Sequence, residues 1–303
     1  MSVTVEAIAK AGANWSIEVT PTGATKIDSF AAVLAENTSV NVTFLPGTDP
    51  NETIAVAKRL SDEGMNSIPH IAARSLSDKD QLDGLLKRMT SEANVSEVLV
   101  IGGGVDKPVG AFDNTMQVLN TGLIQKHGIS RIGVSGHPEG SPDIHDDALA
   151  QAIADKNAFA ASEGLSLYME TQFCFDAAAV LAWERAIREA GNALPIRVGI
   201  PGPATIKTLF RFAQISGIGP SMRFIAKQAR NVAKLMTVQS PHLLLAGLAD
   251  GMASGASDAD KCLIQHFHYY PFGGFAKTAA YADAIAKGQI TLTKDGGFDV
   301  QDS

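Results

Sequence analysis

Residues 66–72 (NSIPHIA) and 97–103 (EVLVIGG) are two short runs of apolar and β-branched residues. Between them, four apolar residues recur at the three- and four-residue intervals of one helix face: Leu82, Leu85, Leu86 and Met89. A strand, a helix and a second strand in this order are typical of the βαβ unit of parallel sheets. This unit is the starting point for predicting the fold of the whole chain.

The same alternation extends along the chain. Eight runs are predicted to be strands: Trp15–Thr20, Ser39–Leu45, Asn66–Ala72, Glu97–Gly103, Arg131–Gly136, Ser166–Phe173, Ile196–Pro201 and His266–Gly273. Two further helical segments are marked by apolar spacing, at Ile54, Ala57 and Leu60 and at Val180, Trp183 and Ile187. Eight strand–helix repeats predict an α/β fold, the (β/α)8 TIM barrel.

A doubly wound open sheet is the competing fold, but it would usually carry a phosphate-binding glycine loop after its first strand. Here the first strand runs into residues 20–23, TPTG. We therefore expect a single TIM-barrel domain over residues 1–303, with the barrel at about 14–287. An extra loop and helix at Gly217–Ser240 would precede the eighth strand, and a peripheral tail would follow at 288–303.

Composition limits the class of protein. Of the 303 residues 45% are hydrophobic and 19% are charged, which indicates a globular chain and excludes intrinsic disorder. The net charge of −7 argues against nucleic acid as the main partner. Cys174 and Cys262 lie far apart, so a disulfide scaffold or a zinc–thiolate site is not expected. With no signal peptide and no apolar stretch of membrane-spanning length, we expect a cytoplasmic protein without a membrane partner.

In such a barrel, functional groups lie at the carboxyl ends of the strands. Glu18 lies in the apolar first strand, where burial favours the protonated carboxyl that a general acid needs. The alternative is a structural carboxylate paired with a neighbouring lysine or arginine. His70 ends the third strand, and the alternative for it is a histidine that is hydrogen-bonded inside the barrel.

Two other patterns allow more than one interpretation. Gly102, Gly103 and Gly104 either let a ligand approach the backbone closely or form a tight turn, and they match neither a P-loop nor GxGxxG. His266 and His268 share one strand face, which together with the acidic and histidine residues of 137–147 could indicate a metal site. No ligand pair with a known spacing appears, so we expect no metal.

Six strand-end motifs, in chain order, carry a resemblance to a known family: residues 16–21 (SIEVTP), 42–44 (VTF), 69–71 (PHI), 138–142 (PEGSP), 171–176 (TQFCFD) and 267–270 (FHYY). Together they resemble methylenetetrahydrofolate reductase, the flavin-dependent barrel enzyme of one-carbon metabolism and methionine biosynthesis. The resemblance covers most of the chain, and 171–176 is its most specific part.

The resemblance implies an oxidoreductase that reduces 5,10-methylenetetrahydrofolate to 5-methyltetrahydrofolate, with FAD as cofactor and NAD(P)H as co-substrate. The resemblance leaves open that the reaction runs in the oxidative direction, in methyl-group catabolism. Glu18 would donate the proton, while Gln172 and Thr43 would bind the folate. The flavin-side residues would be Thr43, His70, Gly102, Gly103, Gly104, His137, Ser141 and Lys156. The partners would be tetrahydrofolate derivatives and further copies of the chain, in a homo-oligomer.

The chain departs from the family at the flavin side. Gly102–Gly104 replaces the usual Arg-Gly-Asp after the fourth strand, His137 replaces a tyrosine, and Ser141 replaces a histidine. Three alternatives therefore remain open: a flavin-free folate-binding methyltransferase or carrier, a metal-dependent lyase or hydrolase, and a binding protein that keeps the barrel without catalysis.

Overall fold

Eight parallel strands close into a barrel in the computed structural model, which describes residues 3–141, 144–215, 237–254 and 262–301. The strands of these residues are β1 (Trp15–Val19), β2 (Ser39–Val42), β3 (Asn66–Ala72), β4 (Glu97–Ile101), β5 (Arg131–Gly136), β6 (Ser166–Phe173), β7 (Ile196–Pro201), β8 (Ala204–Thr205), β9 (Val238–Gln239), β10 (Ile264–Tyr270), β11 (Ile290–Leu292) and β12 (Phe298–Val300). The barrel order is β1-β10-β7-β6-β5-β4-β3-β2, which confirms the predicted (β/α)8 TIM barrel.

The helices of the described residues lie between and beyond these strands: α1 (Val5–Gly12), α2 (Pro21–Ala24), α3 (Pro50–Asp62), α4 (Lys79–Ala93), α5 (Thr115–Leu119), α6 (Leu123–Lys126), α7 (Asp146–Glu163), α8 (Ala177–Glu189), α9 (Ile206–Ile215), α10 (His242–Ser254) and α11 (Phe275–Ala286). None of these helices combines the length and the apolar character that a membrane-spanning segment needs. Of the extra segment expected at 217–240, residues 217–236 lie outside the described part of the chain.

All eight predicted barrel strands form, four of them with the predicted bounds, and the other four end earlier than expected. For two of these four, local backbone geometry gives the reason. Gly103 has a φ of 97° beyond β4, while Phe272 and Gly273 have φ values of 48° and 90° beyond β10. A strand cannot continue through this left-handed region, so these residues begin the loops instead.

Short-range capping explains where the long helices begin and end. The side chain of Asp49 accepts a hydrogen bond from Asn51 N ahead of α3, and that of Asp78 accepts one from Gln81 N ahead of α4. An aspartate in this position satisfies an N–H group that the first helical turn leaves unpaired. Helix α4 ends at Asn94, which adopts the left-handed conformation with a φ of 51°.

The helix faces predicted on α3 and α4 pack as expected, whereas on α8 Val180 is buried and Trp183 and Ile187 are half-buried. Ile54, Ala57 and Leu60 are buried on α3, and Leu82, Leu86 and Met89 are buried on α4, while Leu85 is half-buried. Burying a leucine or isoleucine side chain stabilises a fold by about 1.5–3 kcal/mol. The faces of α3 and α4 therefore secure the strands between which they lie.

The chain divides into two compact units. One comprises Met1–Trp15, Gly136–Ala154 and Glu170–Ser303, and the other comprises Ser16–Ser135 and Asp155–Met169. In the second unit, Gly133 of β5 is needed for packing, because a Cβ atom there would lie 2.6 Å from both Leu99 Cδ1 and Tyr168 Oη. Side chains of β4 and β6 thus meet in front of β5, which identifies this face of the strands as the barrel interior.

The chain's tail, expected to be peripheral, forms an antiparallel hairpin of β11 and β12 outside the barrel sheet. Its Phe298 is buried and stacks on Tyr281 of α11, with ring centroids 6.5 Å apart. A second short antiparallel pair joins β8 and β9.

Two glycines should respond oppositely to the same change. A Cβ atom on Gly199 of β7 would lie 2.5 Å from the Gln172 carbonyl oxygen, a backbone atom that cannot turn aside. We expect Gly199→Ala to lower the free energy of unfolding by about 1–3 kcal/mol. Gly84, exposed within α4, has nothing within 4 Å of such an atom. There Gly84→Ala should raise stability by about 0.5–1 kcal/mol. Urea unfolding of both variants checks this, and the same sign at both positions would contradict it.

Candidate functional site

Glu18 of β1 and Thr43, just beyond β2, form a hydrogen-bonded pair at the carboxyl ends of neighbouring strands. The Thr43 hydroxyl donates a short hydrogen bond to Glu18 Oε1. Thr43 N donates to the carbonyl of Val19, 3.0 Å away, which fixes the threonine backbone beside β1. The hydrogen bond from Thr43 holds the Glu18 carboxyl in one orientation. Glu18 is half-buried, so its side chain remains partly accessible.

His70 of β3 lies inside the sheet beside Asn41 of β2. Both residues are buried, and Asn41 Nδ2 lies 3.4 Å from His70 Nε2. Asn41 is in turn the register partner of Glu18 in the parallel β1–β2 pair. His70 is thus a hydrogen-bonded histidine inside the barrel. It lies on β3, and β2 separates it from Glu18 on β1.

The glycine run follows β4, and its three members differ in what they require. Gly103 has a φ of 97°, and a Cβ atom on it would lie 3.2 Å from Ala72 Cβ, so glycine is needed there. At Gly102 and Gly104 a Cβ atom would meet nothing within 4 Å. The backbone of these two residues therefore stays open to approach from the side where a side chain would stand.

Arg74, in the short 3-10 turn after β3 (Ala73–Ser75), holds the glycine loop in place. Its backbone N–H donates to the Gly102 carbonyl at 2.9 Å, and its Nε donates to the Asp113 carbonyl at 2.9 Å. Val109 N donates back to the Arg74 carbonyl at 2.8 Å. Sequence reasoning missed Arg74 because its partners are distant along the chain and leave no local pattern.

Lys156 of α7 is a buried cation. Burial lowers the pKa of Lys156 to about 8. Its Nζ donates to the Ser135 carbonyl at the end of β5, at 2.9 Å. An ammonium group has three donors, and no acceptor other than Ser135 is found for Nζ among the described residues. Such a group is suited to an anionic partner, for example a phosphate.

His137 and Ser141 lie in the tight loop after β5, and both are half-buried. Gly140 N donates to the His137 carbonyl at 3.1 Å, and Gly140 has a φ of 74°. The loop therefore turns on a residue whose backbone conformation favours glycine. Residues 142–143 beyond it lie outside the described part of the chain.

Gln172 occupies the end of β6. Its Oε1 accepts a hydrogen bond from Phe173 N at 3.1 Å, and the residue is half-buried. Among the described residues, its Nε2 amide group has no hydrogen-bond partner. Thr171 anchors the same strand, since its hydroxyl accepts from Gly199 N at 2.8 Å and donates to the Gln172 carbonyl at 2.8 Å. The Gln172 amide is therefore positioned with two N–H donors to offer to a ligand.

An aromatic cluster adjoins the end of β6. Phe173 contacts Tyr270 and Phe272 edge-on, with ring centroids 5.3 and 4.9 Å apart. The Tyr270 hydroxyl donates to the Thr171 carbonyl at 3.0 Å, which links β10 to β6. A cavity of about 110 Å³ in the same unit is walled largely by apolar side chains, among them Phe175, Ile206 and Leu209. This region offers a surface for an aromatic ring with polar edges.

Glu170, Arg197 and His268 form a buried charged cluster in one unit of the barrel. Arg197 Nη1 lies 3.7 Å from Glu170 Oε2, and His268 Nε2 lies 3.8 Å from Glu170 Oε1. Arg197 is a residue that sequence reasoning missed; an arginine within the apolar strand β7 was the available signal. His266 and His268 do share a strand, but the described residues hold no group of three or more His, Cys, Asp or Glu side chains arranged for a metal ion.

Comparison with known proteins finds no family and only solved structures of low similarity. No family model matches the chain. Among solved structures, a chitinase from Rhizomucor miehei shares 11% identity over 90% of this chain and 99% of its own, with a TM-score of 0.45. A putative lyase/mutase from Burkholderia cenocepacia J2315 shares 14% identity, covering 93% and 86% of the two chains, with a TM-score of 0.48. A glycoside hydrolase family 10 endo-beta-1,4-xylanase from Gloeophyllum trabeum shares 12%, covering 86% and 85%, with a TM-score of 0.46.

Because Lys156 is buried, we expect the free energy of unfolding to depend on pH. Below about pH 8 the folded and unfolded states both hold the proton, so the buried charge lowers the stability of the free protein by about 3 kcal/mol. Between about pH 8 and 10.5 only the unfolded lysine remains charged, so the cost disappears as pH rises. We expect Lys156→Met to gain stability over the parent below pH 8 and to lose that advantage by pH 10.5.

Urea unfolding of the ligand-free parent and variant across this pH range measures the difference directly. The exposed Lys87 gives a matched control, because Lys87→Met should show a stability difference that does not change with pH. A flat difference for Lys156→Met as well would show that Lys156 is charged and hydrated in the folded protein.

Proposed function

We propose that this chain reduces 5,10-methylenetetrahydrofolate to 5-methyltetrahydrofolate, with NAD(P)H as reductant and FAD as cofactor. The observation that carries the proposal is the Glu18 carboxyl at the end of β1, held by the Thr43 hydroxyl. The resemblance of the strand-end motifs supplies the reaction, and the geometry at Glu18 and Gln172 supports it. Cytoplasmic location and a homo-oligomer belong to the same proposal.

The reaction needs an acid. In the substrate the one-carbon unit bridges two nitrogen atoms, and it accepts hydride only after one carbon–nitrogen bond has opened. Protonation of the leaving nitrogen opens that bond and leaves an iminium cation. A hydride, carrying two electrons, then completes the methyl group. Glu18 donates the proton, and the hydrogen bond from Thr43 holds the carboxyl in the orientation for transfer.

The residues expected at the flavin fit that group. No atom lies within 4 Å of a Cβ placed on Gly102 or Gly104, so a flat ring would be able to approach their backbone. The Lys156 ammonium, with donors to spare among the described residues, suits a phosphate. Thr43, His137 and Ser141 are the further polar groups assigned to the cofactor, whereas the contact with Asn41 places His70 among the hydrogen-bonded residues inside the barrel. When bound, FAD would supply two-electron chemistry between nicotinamide and folate.

Gln172 and its aromatic neighbours support a folate partner. The Gln172 amide offers N–H donors at the end of β6, and its own oxygen is held by Phe173 N. A pterin presents a flat ring whose edge carries hydrogen-bonding atoms, which matches an amide beside aromatic side chains. Gln172 would therefore orient the folate ring, while Glu18 handles the proton.

Glu18→Gln tests the acid. The variant keeps the size and the hydrogen-bonding capacity of the side chain but removes the transferable proton, so folate reduction should fall by about 10² to 10⁴. Oxidation of NAD(P)H with an artificial electron acceptor should continue at the parental rate, because that half-reaction needs no proton for folate. Glu36→Gln, a change of an exposed carboxylate, serves as the control. Parental folate turnover in Glu18→Gln would remove Glu18 from the mechanism.

Gln172→Leu tests the folate contact. Loss of the amide should weaken 5-methyltetrahydrofolate binding by about 1–3 kcal/mol, since a buried ligand group is left unpaired. Flavin affinity should change much less. Gln265→Leu changes an exposed glutamine of β10 in the same way and should alter neither affinity. Calorimetric titration measures both, and equal folate affinity in Gln172→Leu and the parent would rule this contact out.

A further inference from the structure

Three ionisable side chains are buried together below the ends of β6, β7 and β10. The exposed fractions of the side chains are 1% for Glu170, 4% for Arg197 and 0% for His268. Glu170 lies between the other two, with nitrogen–oxygen distances of 3.7 Å to Arg197 and 3.8 Å to His268. Neither the acid chemistry of Glu18 nor the amide of Gln172 makes use of this cluster.

Stability alone does not account for such a cluster. Removing two charges from water costs several kcal/mol per ion, and well-packed apolar residues in their place are often neutral or stabilising. The interior of the same barrel is filled elsewhere by apolar side chains such as Leu99. We therefore infer that the ionisable side chains at these three positions have a role other than stability.

The cluster lies directly beneath residues that face the barrel mouth. Side chains alternate along a strand, so Glu170 shares its face with Gln172, and His268 shares its face with Tyr270. The His268 ring contacts the Tyr270 ring edge-on, with centroids 4.9 Å apart and an interplanar angle of 87°. The Tyr270 hydroxyl then donates to the Thr171 carbonyl of the Glu170 strand at 3.0 Å. Contacts thus run from Glu170 through His268 and Tyr270 back to β6.

We propose that Glu170 is a positioning residue: together with Arg197 it fixes His268, and through His268 it fixes Tyr270 as an aromatic wall for the folate substrate. The inference rests on the proposed function for the identity of the ligand. Its structural part, the control of Tyr270 by Glu170, is independent of any ligand. Glu170 itself touches no reacting atom in this scheme.

The chain contains four tyrosines, so the position of Tyr270 can be followed by ¹⁹F NMR of protein labelled with 3-fluorotyrosine. The Tyr270 signal is identified by its loss in Tyr270→Phe. In ligand-free Glu170→Gln, we expect this signal to shift or broaden while the Tyr281 signal, on α11, stays unchanged.

Glu184→Gln is the matched control. Glu184 is a carboxylate of α8 that is also buried and paired with an arginine, since Arg188 Nε lies 2.9 Å from its Oε1. This variant should leave the Tyr270 signal in place. Should Glu170→Gln fail to fold, Arg197→Lys keeps the charge of the cluster, loses the guanidinium geometry, and should move the same signal.

Titration with 5-methyltetrahydrofolate completes the test. The dissociation constant should rise about tenfold in Glu170→Gln and stay parental in Glu184→Gln, because a misplaced wall weakens binding without removing a contact. A Tyr270 signal that does not move overturns the inference, as does a moved signal with unchanged folate affinity. A parent that binds no folate contradicts the proposed function instead, and the Tyr270 signal then still decides whether Glu170 positions it.

Discussion

In a parallel barrel, side chains alternate between the interior and the surrounding helices, so each strand places only every second residue inside. The register of β1 to β5 shows which side chains this alternation places inside the barrel. Glu18 pairs with Asn41, and Leu99 pairs both with His70 and with Gly133. A shift of one residue in any of these strands would exchange its polar interior residues for the apolar ones that face the helices. The chemistry of the chain therefore depends on the register of the sheet.

The buried charged side chains reduce the stabilisation that apolar burial provides, and we propose functions for them. The packing of α3 and α4 on the strands provides apolar burial, whereas Lys156 and the cluster around Glu170 place charges where water is scarce. Such groups persist in proteins when a ligand or a fixed geometry makes use of them. We assign Lys156 to an anionic ligand and Glu170 to the placement of Tyr270. The buried charge of Lys156 lowers the stability of the free protein, and a bound anion would offset that loss.

The fold could be predicted from sequence because each strand is marked locally by β-branched residues and each helix by apolar spacing. The predicted bounds of β3, β5, β6 and β7 match the structure. Strand ends were less predictable where a loop begins at a positive φ, as at Gly103. Glu18 could be chosen from its place in the first strand, whereas the choice of Gln172 rests on the resemblance of residues 171–176. The roles of Arg74 and Arg197 could not be, because their partners are distant in sequence and are brought near only by the sheet.

Flavin-dependent folate reduction is tested most sharply by an anaerobic titration of the purified protein with FAD, followed in the visible spectrum. We predict that FAD binds, that NADH or NADPH bleaches the bound flavin, and that 5,10-methylenetetrahydrofolate restores the colour with one 5-methyltetrahydrofolate formed per flavin. A protein that binds 5-methyltetrahydrofolate but takes up no FAD would contradict the proposed reaction and would favour a flavin-free folate-binding barrel.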